Sequence, residues 1–352
     1  MKLRVGVVGS GIGASHLAAY AHLRDSFSVL VLCDIDRERA KQLAEKEHVP
    51  EVMNDFAALC ARRDIDVIDI CTPSHLHVRQ TLEALSLGKH VICEKPIAAS
   101  LLEIDELIEA ERQSGRRVMP IFQGRFGAGV QKVAFLRRQG ITGRAFITTS
   151  ETAWRRRADY YAVPWRGKWE TEPGGPFVTL GIHTLDLILH VLGPVTSVFA
   201  FSDTRVNLIE IADCLSVALR MADGSLCSYA LSTGSSQEKS RLRFCFEAFS
   251  AESNDSPYDY ASEPWTLTPD TEEWNTRIQE SLRGFTPQQE GFPGQFAAFH
   301  RALEAGVQPP VTLKDARAVT EAITAVFASI HSGMPAYLPI GADHPGYAAW
   351  QR

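Results

Sequence analysis

Leu3-Arg4-Val5-Gly6-Val7-Val8-Gly9-Ser10-Gly11-Ile12-Gly13-Ala14 holds the reading on which the fold turns. Leu3–Val8 is a short run of branched apolar residues that stops at glycine, the pattern of a buried strand. Ile12–Arg24 follows with apolar residues at helical spacing. Between them stands G-x-G-x-x-A. Gly9 permits a tight turn, Gly11 lets the backbone approach a ligand, and Ala14 keeps the helix close to the sheet; Ser10, Ile12 and Gly13 complete the turn. A helix N-terminus in this place offers unpaired N–H groups and partial positive charge to a phosphate. A glycine-rich turn that binds nothing has the same local sequence, so the surroundings must decide.

One such test is the end of the next strand run, Leu32-Cys33-Asp34. An acid about 20 residues beyond the glycines is where a ribose diol is held, and the motif is then read as dinucleotide-binding. Asp34 would otherwise serve as a helix cap. A carboxylate there repels a 2′-phosphate and so favours NAD, while Arg37 and Arg39 lie close enough to keep NADP as a second cofactor.

Outward from this turn, strand candidates recur at Val29–Cys33, Val67–Cys71, His90–Cys93 and Val118–Phe122. They alternate with helical patterns at Arg37–Glu47, Asp55–Ala61, His75–Leu87 and Leu101–Ser114. Alternation of this kind predicts right-handed crossovers and a parallel sheet. After about residue 125 the rhythm changes. A helix over Val130–Arg138, a strand over Arg144–Ala153 and a helix from Gly174-Gly175 to Leu192 lead into long alternating runs. These are Ser197–Val206, Asp213–Met221, Leu226–Thr233 and Leu242–Phe249, with Asp223-Gly224 as a hairpin signal. Ser250–Pro269 reads as a loop, and helices near Gln288–Ala305 and Leu313–Ser332 close the chain. The expectation is an α/β Rossmann domain over 1–124 and an α+β domain over 125–352 with a large open, mostly antiparallel sheet.

Size and composition agree. A chain of 352 residues exceeds what one core usually organises. The net charge of −6 comes without a basic block, which argues against nucleic acid as a partner. No apolar run is long enough for a membrane span, and Met1-Lys2-Leu3 leads straight into the first strand. The seven cysteines include no C-x-x-C pair. They read as free thiols in a reducing compartment, hence a cytoplasmic location with no metal centre.

Cys71-Thr72-Pro73-Ser74-His75-Leu76-His77 and Gly88-Lys89-His90-Val91-Ile92-Cys93-Glu94-Lys95-Pro96, taken with the glycine turn, resemble the glucose–fructose oxidoreductase/inositol dehydrogenase (Gfo/Idh/MocA) family. The resemblance implies that Lys95 is a catalytic or substrate-orienting residue beside the nicotinamide. It places Glu94 near the cofactor ribose and Thr72, Pro73 and His77 along the cofactor cleft. Independently, Lys95 falls just past the carboxyl end of a parallel strand, where ligands of such sheets bind.

A second mark is Gly174-Gly175-Pro176-Phe177-Val178-Thr179-Leu180-Gly181-Ile182-His183-Thr184-Leu185-Asp186, set against the family's G-G-x-x-x-D-x-G-x-H-x-x-D. By the same resemblance His183 is the catalytic histidine. Helical spacing puts Thr179, His183 and Asp186 on one face. Thr179 stands where inositol dehydrogenases carry an acid, and a hydroxyl cannot act as a base at neutral pH. In the preceding aromatic and basic loop, Trp154, Trp165, Arg166 and Trp169 are candidates for stacking on and hydrogen-bonding a substrate, and Arg125 is a further one. Arg156 and Arg157 read instead as a solvated basic run.

The expected activity is NAD(P)-dependent oxidation of a CH–OH group in a sugar, cyclitol or sugar derivative, with Lys95 and His183 handling the proton. Three alternatives stay open: a redox-neutral glycosidase that retains NAD, a non-catalytic dinucleotide-binding sensor, and a reductase of a non-sugar carbonyl. The resemblance also implies a homodimer or homotetramer joined through the C-terminal sheet.

Overall fold

The computed structural model describes residues 1–350 and divides into two compact units. The first holds residues 1–98, 102–123 and 291–317. Its elements run β1 (Leu3–Val8), α1 (Gly13–Ala21), β2 (Phe27–Cys33), α2 (Arg37–Glu47), β3 (Glu51–Met53), α3 (Phe56–Cys60), β4 (Val67–Ile70), α4 (His77–Ser86), β5 (His90–Cys93), α5 (Leu101–Ser114) and β6 (Val118–Pro120). The six strands are all parallel, in the order β3-β2-β1-β4-β5-β6. Strand order reverses between β1 and β4, and ligands of doubly wound sheets bind beyond the carboxyl ends at that point. Every residue of β4 is buried, as a strand covered on both faces requires. Local chemistry sets the helix limits. The Asp36 carboxylate accepts from the Arg39 N–H at 3.1 Å to start α2, and His48, at φ 59°, ends it in the left-handed region. Asp55 caps α3 through the Ala58 N–H at 3.0 Å.

The second unit holds residues 99–101, 124–290 and 318–352, described as far as Trp350. It begins with α6 (Ala128–Arg138), β7 (Ala145–Arg155) and a single turn, α7 (Ala158–Tyr161). A π-helical turn over Phe177–Gly181 then runs directly into α8 (Ile182–Leu192). β8 (Val195–Asp203), β9 (Cys214–Met221), β10 (Leu226–Ser232), β11 (Gly234–Phe246), β12 (Phe249–Glu252) and β13 (Thr266–Pro269) follow, then α9 (Glu272–Leu282). α10 (Gly291–Ala305) returns to the first unit, and α11 (Leu313–Ser332) and β14 (Ala336–Tyr337) are the last elements among the described residues. The eight-stranded sheet has the order β13-β12-β11-β7-β10-β9-β8-β14. All its pairings are antiparallel except β7 with β10. One face is buried through Val217, Leu219, Tyr229, Leu231 and Phe244. α8 lies on that face, where the Tyr229 hydroxyl donates to the Gly181 carbonyl at 3.3 Å.

Three segments depart from the sequence reading. The run expected as one strand over Leu242–Phe249 is two, because β11 begins at Gly234 and the chain turns before Phe249 into β12. Ser250–Pro269 is not simply a loop. Its first residues complete β12 and its last four form β13, whose alternation of half-buried and exposed positions gives a weak pattern. α9 was not expected at all. It buries only Ile278, so its apolar stripe is too thin to read, and its one clear signal is the Thr271 cap on the Trp274 N–H at 3.2 Å. The seven cysteines are free thiols. Among the described residues, no helix is long and apolar enough to cross a membrane.

Candidate active site

In the first unit the glycine turn closes tightly over the neighbouring strand. Gly9 sits at φ 97°, and a Cβ there would stand 2.6 Å from the Cys71 carbonyl oxygen, so only glycine fits. At Gly11, by contrast, a Cβ would meet nothing nearer than Arg39 at 4.0 Å, which leaves that side of the backbone open to a ligand. No side chain caps α1. An uncapped helix start beyond two such glycines suits a pyrophosphate.

Asp34 follows β2 and turns back on this loop. Its Oδ2 accepts from the Ser10 N–H at 2.6 Å and the Ser10 hydroxyl at 2.5 Å, and its Oδ1 from the Asp36 N–H at 2.8 Å. Burial opposes its charge, but these hydrogen bonds and Arg39 outweigh that and hold the carboxyl below its usual range. Asp34 is therefore an ionised acceptor beside the glycine turn. These features fit a dinucleotide with an unphosphorylated ribose.

Beyond β4 the Thr72 hydroxyl donates to Gln80 Oε1 at 2.6 Å. His77 is buried, with Nδ1 2.7 Å from the Pro96 carbonyl oxygen and Nε2 2.8 Å from that of Thr72. It thereby ties the loop after β4 to the loop after β5, in which Lys95-Pro96 is a cis peptide. Burial lowers the His77 pKa, and the neutral ring has a single N–H, which donates to one of the two carbonyls. Glu94 is buried, its Oε2 accepting from the Lys95 N–H at 3.0 Å and its Oε1 3.1 Å from His16 Nε2. His16, Asp69 and Tyr20 form the rest of this buried polar group. The sequence reading passed over them. The available signal was a carboxylate inside the apolar run Val67–Cys71, which must find a partner once buried. His16, Asp69 and Cys71 also stand close enough to suggest metal ligands. Their distances are those of hydrogen bonds, His16 Nδ1 to Asp69 at 2.9 Å, and burial pushes the Cys71 thiol up to about 12, which keeps it protonated.

In the second unit His183 occupies the first turn of α8, directly after the π-helical turn. That turn changes the expected geometry, because Thr179 lies inside it and α periodicity does not hold from there to His183. Asp186 faces the interior and binds Arg125 through two contacts, Nε–Oδ2 at 2.9 Å and Nη2–Oδ1 at 2.6 Å, both side chains buried. The forked pair holds the residues before α6 to α8. The Thr179 hydroxyl donates to the Gly175 carbonyl at 3.2 Å.

The aromatic and basic loop separates into two kinds of residue. Trp154 is buried, and its indole N–H donates to Ser240 at 3.0 Å, so it supports the loop from the sheet. The Trp169 N–H donates to Glu210 at 3.1 Å, and its ring meets Phe327 edge-on. Arg156 is not the solvated charge the sequence suggested. It pairs with Glu238 at 2.6 Å and stacks over Trp154 and Tyr160. Arg157 likewise reaches the carbonyls of Thr233 and Gly234. Arg166 lies 3.8 Å over the Tyr160 ring and 4.5 Å over Trp165. Burial opposes its charge, Glu172 supports it and Arg156 opposes it, with a lowered pKa as the net result. It makes no ion pair within 4.0 Å among the described residues.

Comparison with known proteins places this geometry. D-glucoside 3-dehydrogenase of Escherichia coli (strain K12) is 33% identical over 211 residues, covering 58% of this chain and 59% of that protein. Myo-inositol 2-dehydrogenase of Thermotoga maritima is 26% identical over 232 residues, covering 64% of this chain and 66% of that one. The chain thus spans about three fifths of the length of the curated relatives it matches. Among solved structures, the WlbA dehydrogenase from Bordetella pertussis, in complex with NADH and UDP-GlcNAcA, superposes with a TM-score of 0.84 at 25% identity, over 97% of this chain and 100% of that one. Residues 3–122 match the model of the oxidoreductase family's NAD-binding Rossmann fold, and residues 130–252 match the GFO/IDH/MocA C-terminal domain. With both halves of the family's architecture present, the chain belongs to the GFO/IDH/MocA oxidoreductase family.

Proposed function

We propose that this protein is an NAD-dependent dehydrogenase that oxidises a CH–OH group of a sugar, cyclitol or sugar derivative. The observation that carries the reading is the placement of Lys95. It stands just beyond the carboxyl end of β5, on the same edge of the sheet as the glycine turn after β1, with its backbone N–H fixed on Glu94. Gly9, Gly11 and the start of α1 would hold the pyrophosphate, and Asp34 the ribose. NAD, when bound, supplies the hydride acceptor. Lys95 orients the substrate hydroxyl, and His183 takes its proton as the C–H bond breaks. Positioning supplies much of the rate. Arg166, stacked on Tyr160 and Trp165, would add donors for hydroxyl or acidic groups of a sugar whose face lies on the rings.

Glucosides and inositols, the substrates in the names of the two curated relatives, are the first compounds to try. Reduced nicotinamide is followed by its absorbance with NAD and then NADP. Lys95→Met and His183→Gln should each lower kcat by roughly 100-fold or more while NADH binding stays within about threefold. Full activity in both variants would sink the assignment. Thr179, at the place of an acid, favours a second reading: a glycosidase in which hydride leaves and returns. Substrate cleavage without accumulation of reduced cofactor would select it.

The same reading includes self-association through the outer face of the eight-stranded sheet. Thr149, Ser216, Ala218, Ser228 and Ala230 are exposed there, with Ala218 opposite Ser228 and Ser216 opposite Ala230. Phe201 and Leu226 add exposed apolar surface. A second copy of the chain is the occupant we assign to this face.

A further inference from the structure

His16 does nothing in the reaction described above, yet it joins two parts of the first unit on which that reaction depends. It lies on α1, three residues after Gly13, and is wholly buried. Its Nδ1 faces both oxygens of Asp69, at 3.0 and 2.9 Å, and its Nε2 faces Glu94 Oε1 at 3.1 Å. The Tyr20 hydroxyl donates to the same Asp69 at 3.0 Å. The rings of Phe292 and Phe296 lie 4.5 and 5.2 Å from the imidazole and close it to water.

A neutral imidazole has one N–H and one lone pair. Set between two carboxylates, only the doubly protonated ring donates in both directions. Burial works against that charge, but Asp69, by its charge and its hydrogen bond, holds the His16 pKa well above its ordinary value. Without the cation, Asp69 and Glu94 would be two buried acids with no charge between them, an arrangement that proteins avoid.

The chain of contacts has a direction. One end is α1, whose first turn follows the glycines. At the other end is Glu94, whose second oxygen holds the backbone N–H of Lys95. We propose that His16 is a positioning residue: its imidazolium bridges Asp69 and Glu94, fixes the Glu94 carboxylate, and so couples the cofactor helix to the turn that carries Lys95. What Lys95 then does rests on the dehydrogenase reading, but the bridge itself does not.

Two substitutions separate the directions of the bridge. In His16→Asn the amide nitrogen lies near the place of Nδ1 and serves Asp69. In His16→Gln it lies near the place of Nε2 and serves Glu94. If the hold on Glu94 matters, the Asn variant loses kcat by about 100-fold and the Gln variant by no more than about 10-fold. KM for the sugar and NADH binding should stay within about threefold in both. Hydrogen exchange of the Lys95 amide should quicken in Asn and not in Gln. A purely structural role reverses this order, since Asn leaves the buried Asp69 satisfied, and ties the loss of kcat to the loss in Tm. Equal or reversed order overturns the proposal. A measurement on the unaltered protein stands apart from folding and turnover: nitrogen-15 spectra of labelled histidine near neutral pH should show both ring nitrogens of His16 protonated. A single N–H overturns the bridge, whereas a bridge seen in a protein that oxidises no sugar overturns only the dehydrogenase reading.

Discussion

In the reading proposed above, Asp34 would set the choice between two cofactors that differ by one phosphate. Its carboxylate is ionised, lies against Ser10 of the glycine turn, and has Arg39 nearby, whose Nη2 is 3.5 Å from the Ser10 carbonyl oxygen. Like charges repel, so in that reading the acid would exclude a 2′-phosphate that Arg39 would otherwise attract. Asp34→Ser should therefore cut the preference for NAD over NADP by roughly 10-fold or more, as read from dissociation constants by NADH and NADPH fluorescence. An unchanged ratio would mean that Asp34 does not face the ribose. The positions of the glycines, Asp34 and Lys95 at the ends of β1, β2 and β5 were legible, because each is set by place along the chain within a strand–turn–helix unit. His16 and the pairing of Arg125 with Asp186 were not. Both depend on residues 53 or more apart in sequence that meet only once the chain folds.

Among the elements, β5 and β6 are joined by a contact that sets a limit on acid stability. His90 opens β5, and its Nδ1 accepts the Arg117 N–H at 3.0 Å, which requires that nitrogen to be unprotonated. Burial first, then Arg116 and Arg117, push its pKa from 6.5 to about 4. Between those values the unfolded chain binds a proton at His90 and the folded chain does not. Its contribution is thus complete above the unfolded value and falls as pH drops through the window. His16, with its raised pKa, acts in the opposite sense: its contribution is present at low pH and lost only as pH rises through the folded value. On acidification from neutral pH to about 4, Tm should fall more steeply in the unaltered protein than in His90→Gln, with a difference of about 2 kcal/mol or less after solvent screening. Parallel slopes in calorimetry would refute this. Elements with strong periodicity, such as α2, α5 and α11, were read to the residue. The π-helical turn before α8 was hidden, since Gly174–Leu192 has a continuous apolar pattern and nothing local marks a change from i→i+4 to i→i+5 bonding.

For the whole molecule, the two-part organisation was visible in the change of rhythm near residue 125, and the open sheet in the runs that follow it. Its outer face yields the assembly prediction. Small side chains on β7, β9 and β10 make a flat surface, and the exposed Phe201 and Leu226 favour burial. Ala218→Arg places a long cation in its middle and should reduce the mass seen by light scattering from that of an oligomer to that of a single chain, with the fold retained by circular dichroism. A single chain before substitution would end that reading. What the sequence did not show was that residues 291–317 return to the first unit. The signals for α10 are those of any amphipathic helix, and its partners lie near the other end of the chain.

That return has a consequence for how the protein is made. Phe292 and Phe296 cover His16, Tyr20 stacks on Phe296, Gln295 donates to the Pro120 carbonyl at 2.8 Å, and His300 Nε2 lies 2.6 Å from the Met1 carbonyl oxygen. All of these come from a helix translated some time after the strands it completes. As the chain leaves the ribosome, the nucleotide-binding sheet must wait, with its aromatic flank bare, while residues 124–290 of the second unit are synthesised. The second unit waits longer still, since most of α11 and its edge strand β14 follow α10, so each unit is finished only by chain made after the bulk of the other.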